Sequence, residues 1–175
     1  TILHGTLMAG NYAVPNVYVN VKTVFTNTAP VDAYRGAGRP EATYSLERVI
    51  DKAATELGLD PTNLRRQNFI KSDQFPYVTA AGLNYDVGDY DAVMDRLEHH
   101  ADLKGFAKRR KKSEAKGKLR GLGINSYIEA CGIAPSNLIG TLGARVGLYD
   151  AATIRVNATG NLSVMGVAHS HGQGH

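Results

Sequence analysis

Three short clusters in this chain combine glycine with groups able to bind anions, metals or protons. The first is AYRGAGR, residues 33–39, directly before a predicted helix. Glycines in a turn let a ligand or another chain approach the backbone closely. A helix start favours anions, and Arg35 and Arg39 can add charge-assisted hydrogen bonds. The spacing matches neither G-x-G-x-x-G nor the P-loop. On the residues alone, a structural glycine turn is favoured over an anion site. The second cluster is AHSHGQGH, residues 168–175. His169, His171 and His175 have the look of metal ligands, and His-x-His on a strand puts both rings on one face. No carboxylate or cysteine accompanies them, so ligation is the minority reading. Around Gln173, the glycines Gly172 and Gly174 permit close backbone approach, while the amide donates and accepts together. That suits a planar heterocycle or an oxo group; a plain glycine turn is the alternative. The third is Glu129 in YIEACG, a carboxylate at a strand end that could serve as a base but is more simply paired or exposed.

These clusters must be positioned by the elements between them. Val17, Val19 and Val21 alternate with Tyr18, Asn20 and Lys22, which predicts an extended strand over residues 12–25. From Pro40 a helix is signalled, with Pro40 at its first position and Glu41 at the positive end of its dipole. Ala42, Leu46, Val49, Ile50, Ala53, Ala54 and Leu57 form its expected apolar stripe, and Gly58 stops it. A second helix follows at once, capped by Asp60 with Pro61 in first place, and Leu59 and Leu64 spaced as a staple. A loop with a short hairpin near Gly82 leads to a third helix capped by Asp89, with Tyr90, Val93, Leu97 and Ala101 expected inward. The basic stretch after Gly105 continues as helix. From Leu119 the texture turns to strands: GLGINSYIEA, ARVGLYD, ATIRVNA and LSVMGVA, with NATGN as a hairpin turn.

Strand, then helices, then a run of strands predicts an α+β fold, with helices clustered in the N-terminal half and antiparallel or mixed strands in the C-terminal half. The expected division is residues 1–118, a strand plus helical segment carrying the AYRGAGR loop, and residues 119–175, a β-rich segment ending in the GQGH motif. No internal repeat or low-complexity linker is visible. With 43% hydrophobic residues the chain can build a real core. No apolar run approaches a membrane span of about 18 residues. TILHGTLMAG lacks the basic region and long apolar core of a signal peptide. The single cysteine, Cys131, excludes an internal disulfide framework and a cysteine-built zinc or iron–sulfur site, and reads as a small buried residue. A cytoplasmic location is expected, free or at the inner face of the membrane.

Net charge is +4, with eight Lys/Arg and one Glu concentrated in residues 107–120. A basic run invites a nucleic-acid reading, and a nucleic-acid-binding module is the alternative to the enzyme reading below. The run carries no interleaved aromatic and no binding motif, so a solvated helix face or an acidic partner is preferred.

Taken together, TNTAPVDAYRGAGRPEATYSLERVIDKAATELGLDPTNLRRQNFI and GVAHSHGQGH resemble the molybdenum hydroxylases, the family of aldehyde oxidases and xanthine dehydrogenases. Within the family, the resemblance is greatest to the large subunit of the carbon monoxide dehydrogenase type and runs from about Gly10 to His175. It implies a molybdopterin-binding domain and oxidative hydroxylation of an aldehyde, an N-heterocycle or carbon monoxide, with a glutamate as base. Molybdenum is then held by the pterin dithiolene, so no protein ligand to the metal is needed. Arg35 falls on the family arginine beside the molybdenum centre, Gly36 and Ala37 on residues that wall the substrate side, and Gln173, between Gly172 and Gly174, on the glutamine contacting the pterin. The implied cofactor is molybdopterin cytosine dinucleotide. The implied partners are an iron–sulfur subunit and a flavin subunit in a dimerised heterotrimer, with no nucleic acid.

Two departures stand out. Copper-containing members have a cysteine where this chain has Gly36, so copper is not expected and the loop matches the form II type. The family's glutamate setting, Gly-x-Gly-Glu, and its upstream glycine- and phenylalanine-containing motif are absent, and Glu129 does not match that setting. The chain begins without Met and both ends read as cut from something larger. It is expected to be an inactive piece from the middle of the subunit, one incomplete cofactor-binding domain, with no catalytic residue of its own.

Overall fold

The computed structural model describes residues 2–30, 34, 36–129, 140, 151–167, 170, 172 and 174. It divides into two compact units, Thr1–Ile128 and Glu129–His175. Helices and small antiparallel sheets make it α+β, as the order of elements in the sequence predicts.

The first unit opens with helix α1 (Ile2–Thr6), followed by turns and a long stretch with no helix or strand assigned among the described residues. Helix α2 (Arg39–Leu57) and helix α3 (Pro61–Asn68) then meet at the corner signalled by the GLDP sequence. Helix α2 begins one residue before the predicted Pro40, because Gly38 adopts a left-handed conformation and caps it. Gly58 terminates it with its N–H bonded to the Ala54 and Thr55 carbonyls. Asp60 caps α3 as predicted, its carboxylate accepting from the backbone N–H groups of Thr62 and Asn63 at 2.9 and 3.0 Å. The Thr62 hydroxyl donates to the same oxygen.

That hydroxyl bond, with the amide of Asn63, holds the Asp60 carboxyl below its ordinary 3.8. A depressed carboxylate stabilises the fold above its unfolded pKa and loses that contribution as pH falls through the lower folded value. Asp60→Ala is therefore expected to cost about 1 kcal/mol at neutral pH, the usual price of a lost N-cap. The gap to wild type should shrink in strong acid, as thermal unfolding across the acid range will show.

A tight hairpin, β1 (Tyr77–Val78) against β2 (Asn84–Tyr85), forms around Gly82 as expected, pairing Tyr77 with Tyr85 and Val78 with Asn84. Helix α4 (Tyr90–His100) is capped by Asp89, whose carboxylate accepts from the Ala92 N–H. Helix α5 (Phe106–Glu114) carries the basic run.

Two expected apolar faces are corrected in part: Ala42, Leu46, Ile50, Ala54 and Tyr90 do pack inward. On α2, Val49 and Leu57 are exposed, while the buried positions are Arg39, Ala42, Glu47 and Ala54. Glu47 and Ala54 are seven residues apart, two helical turns, and share the inner face. On α4, Val93, Leu97 and Ala101 are exposed and Met94 is buried. The helix is rolled because its neighbouring face is held by Arg66 of α3, which pairs with Asp95 at 2.7 Å and Glu98 at 3.1 Å. The core gathers Tyr12, Phe69 and Met94, flanked by Val14, Leu46, Ile50, Tyr90 and Ile124. Tyr12 stacks on Phe69 at 5.5 Å between ring centres.

The segment around Tyr12 is tied to the end of α3. Ala13 donates its N–H to the Asn68 carbonyl, and Ile70 donates to the Asn11 carbonyl. Beyond Val14 the strand expected to Phe25 is not formed: among the described residues this stretch has no strand assignment and enters no sheet. The described part of GLGINSYIEA likewise has no strand assignment.

The second unit contains hairpin β3 (Ala152–Val156) and β4 (Leu162–Gly166), antiparallel with Ile154 opposite Val164. NATGN closes it as predicted, with the Asn157 N–H bonded to the Asn161 carbonyl. The predicted strand ARVGLYD lies outside the described residues, as does Cys131.

Candidate cofactor-binding site

The loop before α2 is a double turn. Ala37 donates its N–H to the Tyr34 carbonyl at 2.8 Å, and Arg39 donates to the Gly36 carbonyl at 3.0 Å. Gly36 and Gly38 have φ of 76° and 92°, a conformation that a side chain would strain. The loop's glycines are thus required by the backbone itself. The open anion edge considered for the helix start is largely used up. The Ala37 and Arg39 amides are bonded within the loop, Pro40 has no N–H, and Gly38 donates to the Glu41 carboxylate at 2.9 Å. That carboxylate would also repel an anion. Gly36, Ala37 and Gly38 are half-buried and compact. Arg35 lies outside the described residues.

In the second unit, Gly172 and Gly174 have φ of 91° and 89°, and no atom stands within 4 Å of a β-carbon built on either. Two left-handed glycines bracket the position of Gln173 with open space beside them. Such a backbone accepts a flat group at close range and would exclude it if side chains were present. Gln173, His169, His171 and His175 lie outside the described residues. Glu129 is exposed. Among the described residues, no group of three or more His, Cys, Asp or Glu side chains is arranged to hold a metal ion.

The strongest polar feature of the first unit escapes the sequence reading. Arg65 of α3 has no exposed side-chain surface and Glu47 of α2 has 4%. Arg65 Nε donates to Glu47 Oε2 at 2.9 Å, and its terminal nitrogens reach Asp51 Oδ1 at 2.9 Å and the Pro61 and Ile124 carbonyls at 3.1 Å. Glu47 also accepts from the Tyr12 hydroxyl at 2.5 Å and the Ser126 N–H at 3.0 Å. Asn11 Nδ2 donates to Ser126 Oγ at 2.7 Å. Burial opposes the Arg65 charge, but its bonds to Asp51 and Glu47 prevail and raise its pKa. Burial, then the bond to Glu47, pushes the Tyr12 phenol far up. The one sequence signal was Glu47 standing two turns from Ala54 on an otherwise apolar face.

A cleft of about 830 Å³ opens beside α3, lined among others by Asp51, Asp60, Arg66, Asp95, Glu98 and Lys104. Most of its charges are already used in the fold: Asp60 as a cap, Asp51 on Arg65, and Asp95 and Glu98 on Arg66. It is a scaffold groove, distinct from the glycine loop. On α5, Arg109 pairs with Asp102 and Arg110 with Glu114.

Left-handed glycines stand in both motifs, Gly36 and Gly38 in the first unit and Gly172 and Gly174 in the second, in keeping with the cofactor-binding family that the sequence resembles. Sequence-family comparison agrees: models described as molybdopterin cofactor-binding domain match residues 2–69 and 96–175. The chain belongs to the molybdopterin-binding domains of the molybdenum hydroxylase large subunits. It is 37% identical over 175 residues to the carbon monoxide dehydrogenase large chain of Hydrogenophaga pseudoflava, covering 97% of this chain and 21% of that protein. It is 30% identical over 166 residues to the nicotine 6-hydroxylase large subunit of Paenarthrobacter nicotinovorans, covering 95% and 20%. Among solved structures, quinoline 2-oxidoreductase from Pseudomonas putida 86 superposes with a TM-score of 0.77 at 33% identity, covering 99% of this chain and 22% of that one. The chain therefore spans about a fifth of the length of the curated relatives it matches. Among the described residues, no helix is long and apolar enough to cross a membrane.

Proposed function

We propose that this chain is the part of a molybdenum hydroxylase large subunit that seats the molybdopterin, as the cytosine dinucleotide form, for oxidative hydroxylation. The observation that carries the reading is the pair of left-handed glycines, Gly172 and Gly174, in open space around Gln173. When bound, the cofactor supplies the two-electron redox chemistry. The chain's own residues supply position. Gln173 holds the pterin through its amide, which donates and accepts at once. Gly36 and Ala37 wall the substrate side with backbone rather than side chain. Arg35 fixes the charge and placement of that loop near the metal. Residues 1–118 and 119–175 act as two parts of one cofactor-binding domain that further chain completes. A glutamate outside these residues acts as the base. Electrons leave through iron–sulfur and flavin subunits of a dimerised cytoplasmic complex.

Copper chemistry is disfavoured by the loop itself. Gly36 has no thiol, and at φ 76° any residue with a β-carbon would be strained there. The substrate remains an aldehyde, an N-heterocycle or carbon monoxide, as the spread of relatives suggests.

Reduction of an artificial dye by each substrate class tests the activity. The complete subunit with its partners is expected to reduce the dye, and the 175-residue chain alone to be inactive. Turnover by the isolated chain would contradict the assignment of the base to residues outside it.

A further inference from the structure

Helix α2 carries the AYRGAGR loop at its N-terminus, and hydrogen bonds join the two. Arg39 donates its N–H to the Gly36 carbonyl at 3.0 Å, Ala42 to the Gly38 carbonyl at 3.2 Å, and Gly38 to the Glu41 carboxylate at 2.9 Å. Residues 36–38 therefore move with the helix. The apolar residues of α2 hold it only loosely in register. Those fully buried are Ala42 and Ala54, which are small, and the packing of Leu46 and Ile50 has no fixed direction. Between the two alanines stands buried Glu47, on whose carboxylate three distant stretches converge. The Tyr12 hydroxyl donates to Oε1 at 2.5 Å, while Arg65 Nε and the Ser126 N–H donate to Oε2 at 2.9 and 3.0 Å. These partners lie 35, 18 and 79 residues away along the chain.

We propose that Glu47 is a positioning residue for the cofactor loop: it sets the roll and height of α2, and so places residues 36–38 where they meet the cofactor. This rests on the reading of that loop given above. A buried ion pair adds little net stability over apolar residues of the same volume. What the carboxylate adds is direction, because its oxygens must meet all three donors at bonding distance or leave buried groups unsatisfied. Arg65 is itself held in place, its terminal nitrogens bonded to Asp51 of the same helix and to the Pro61 and Ile124 carbonyls. The turn of α2 from Glu47 to Asp51 is thus gripped by groups from outside the helix. From there to Gly38 the helix is unbroken, roughly 13 Å at about 1.5 Å per residue, and passes the setting on to the loop. A misplacement of about 1 Å near a reacting centre lowers a rate by as much as about 100-fold.

The test uses the complete subunit with its partners. Glu47→Met keeps a side chain of similar volume and removes the acceptor from all three donors. Amide hydrogen exchange over residues 36–42 should be about tenfold faster than in wild type, with turnover per bound molybdenum at about a tenth and KM unchanged. Glu47→Gln keeps hydrogen-bonding capacity but loses the charge. It should show the same changes at about threefold, and it carries the test if Glu47→Met does not fold. Arg66→Gln is the control, since the ion pairs it breaks are with Asp95 and Glu98 of α4. Its loop exchange and turnover should match wild type, because loop amides exchange through local opening and not through global unfolding. Loop exchange equal to wild type in the folded Glu47 variants would overturn the proposal, as would an equal rise in Arg66→Gln. Faster loop exchange with unchanged turnover per molybdenum would instead overturn the placement of the loop at the cofactor.

Discussion

Arg65→Ala should lower the unfolding free energy by about 3–5 kcal/mol, the cost of leaving one member of a buried ion pair without its partner. The guanidinium is fully enclosed and satisfies Glu47, Asp51 and two backbone carbonyls. Its removal leaves the Glu47 carboxylate buried with only Tyr12 and Ser126 as partners. Glu47→Gln should be milder, about 1–3 kcal/mol, because the amide keeps a hydrogen-bonding partner for each neighbour. Chemical denaturation of the three proteins separates these values. The same network fixes an alkaline signature. Tyr12 and Tyr85 have ordinary values of 10.0; burial pushes Tyr85 to about 12 and, with the Glu47 bond, carries Tyr12 higher still. A raised folded pKa contributes stability in full below the unfolded value and loses it as pH rises through the folded one. Stability should therefore begin to fall above pH 10.0, and Tyr12→Phe should flatten that fall.

The second large effect concerns binding. In the complete subunit, Gly174→Val should reduce bound pterin to below a tenth of wild type. Its φ of 89° lies where a side chain costs about 1–2 kcal/mol, and a branched side chain would fill the space the glycine leaves open. Gln173→Ala should bind more weakly while keeping the turn. Comparable loss from Gly160→Ala, at the tip of the β3–β4 hairpin, would mean that left-handed glycines matter here only for folding.

How much of this was visible in the sequence differs by element. The α2–α3 corner was legible because each signal is local: Gly58, Asp60 and Pro61 act within four residues. The hairpins at Gly82 and NATGN were legible for the same reason. The inner faces of α2 and α4 were legible only in part: Ala42, Leu46, Ile50, Ala54 and Tyr90 pack inward as expected, while Glu47 and Met94 were missed. Periodicity finds an apolar stripe but does not reveal that a helix can bury a carboxylate when an arginine 18 residues away answers it, as Arg65 answers Glu47. Arg66 likewise holds one face of α4 through Asp95, 29 residues along the chain, and Glu98, where no local cue points to it. The strand at residues 12–25 shows its period plainly, but a period says nothing of the neighbouring strand. At the site, the glycine motifs were legible as turns because left-handed backbone selects glycine. Their role came from the resemblance of two long motifs, since the turns alone are compatible with many ligands.

The central claim is that this chain seats molybdopterin. Molybdenum and pterin measured together on the complete subunit, purified from cells that make the cofactor, test it most directly. The account predicts both in equal amounts, retained through purification and lost together in Gly174→Val. A folded subunit carrying neither above background would contradict it.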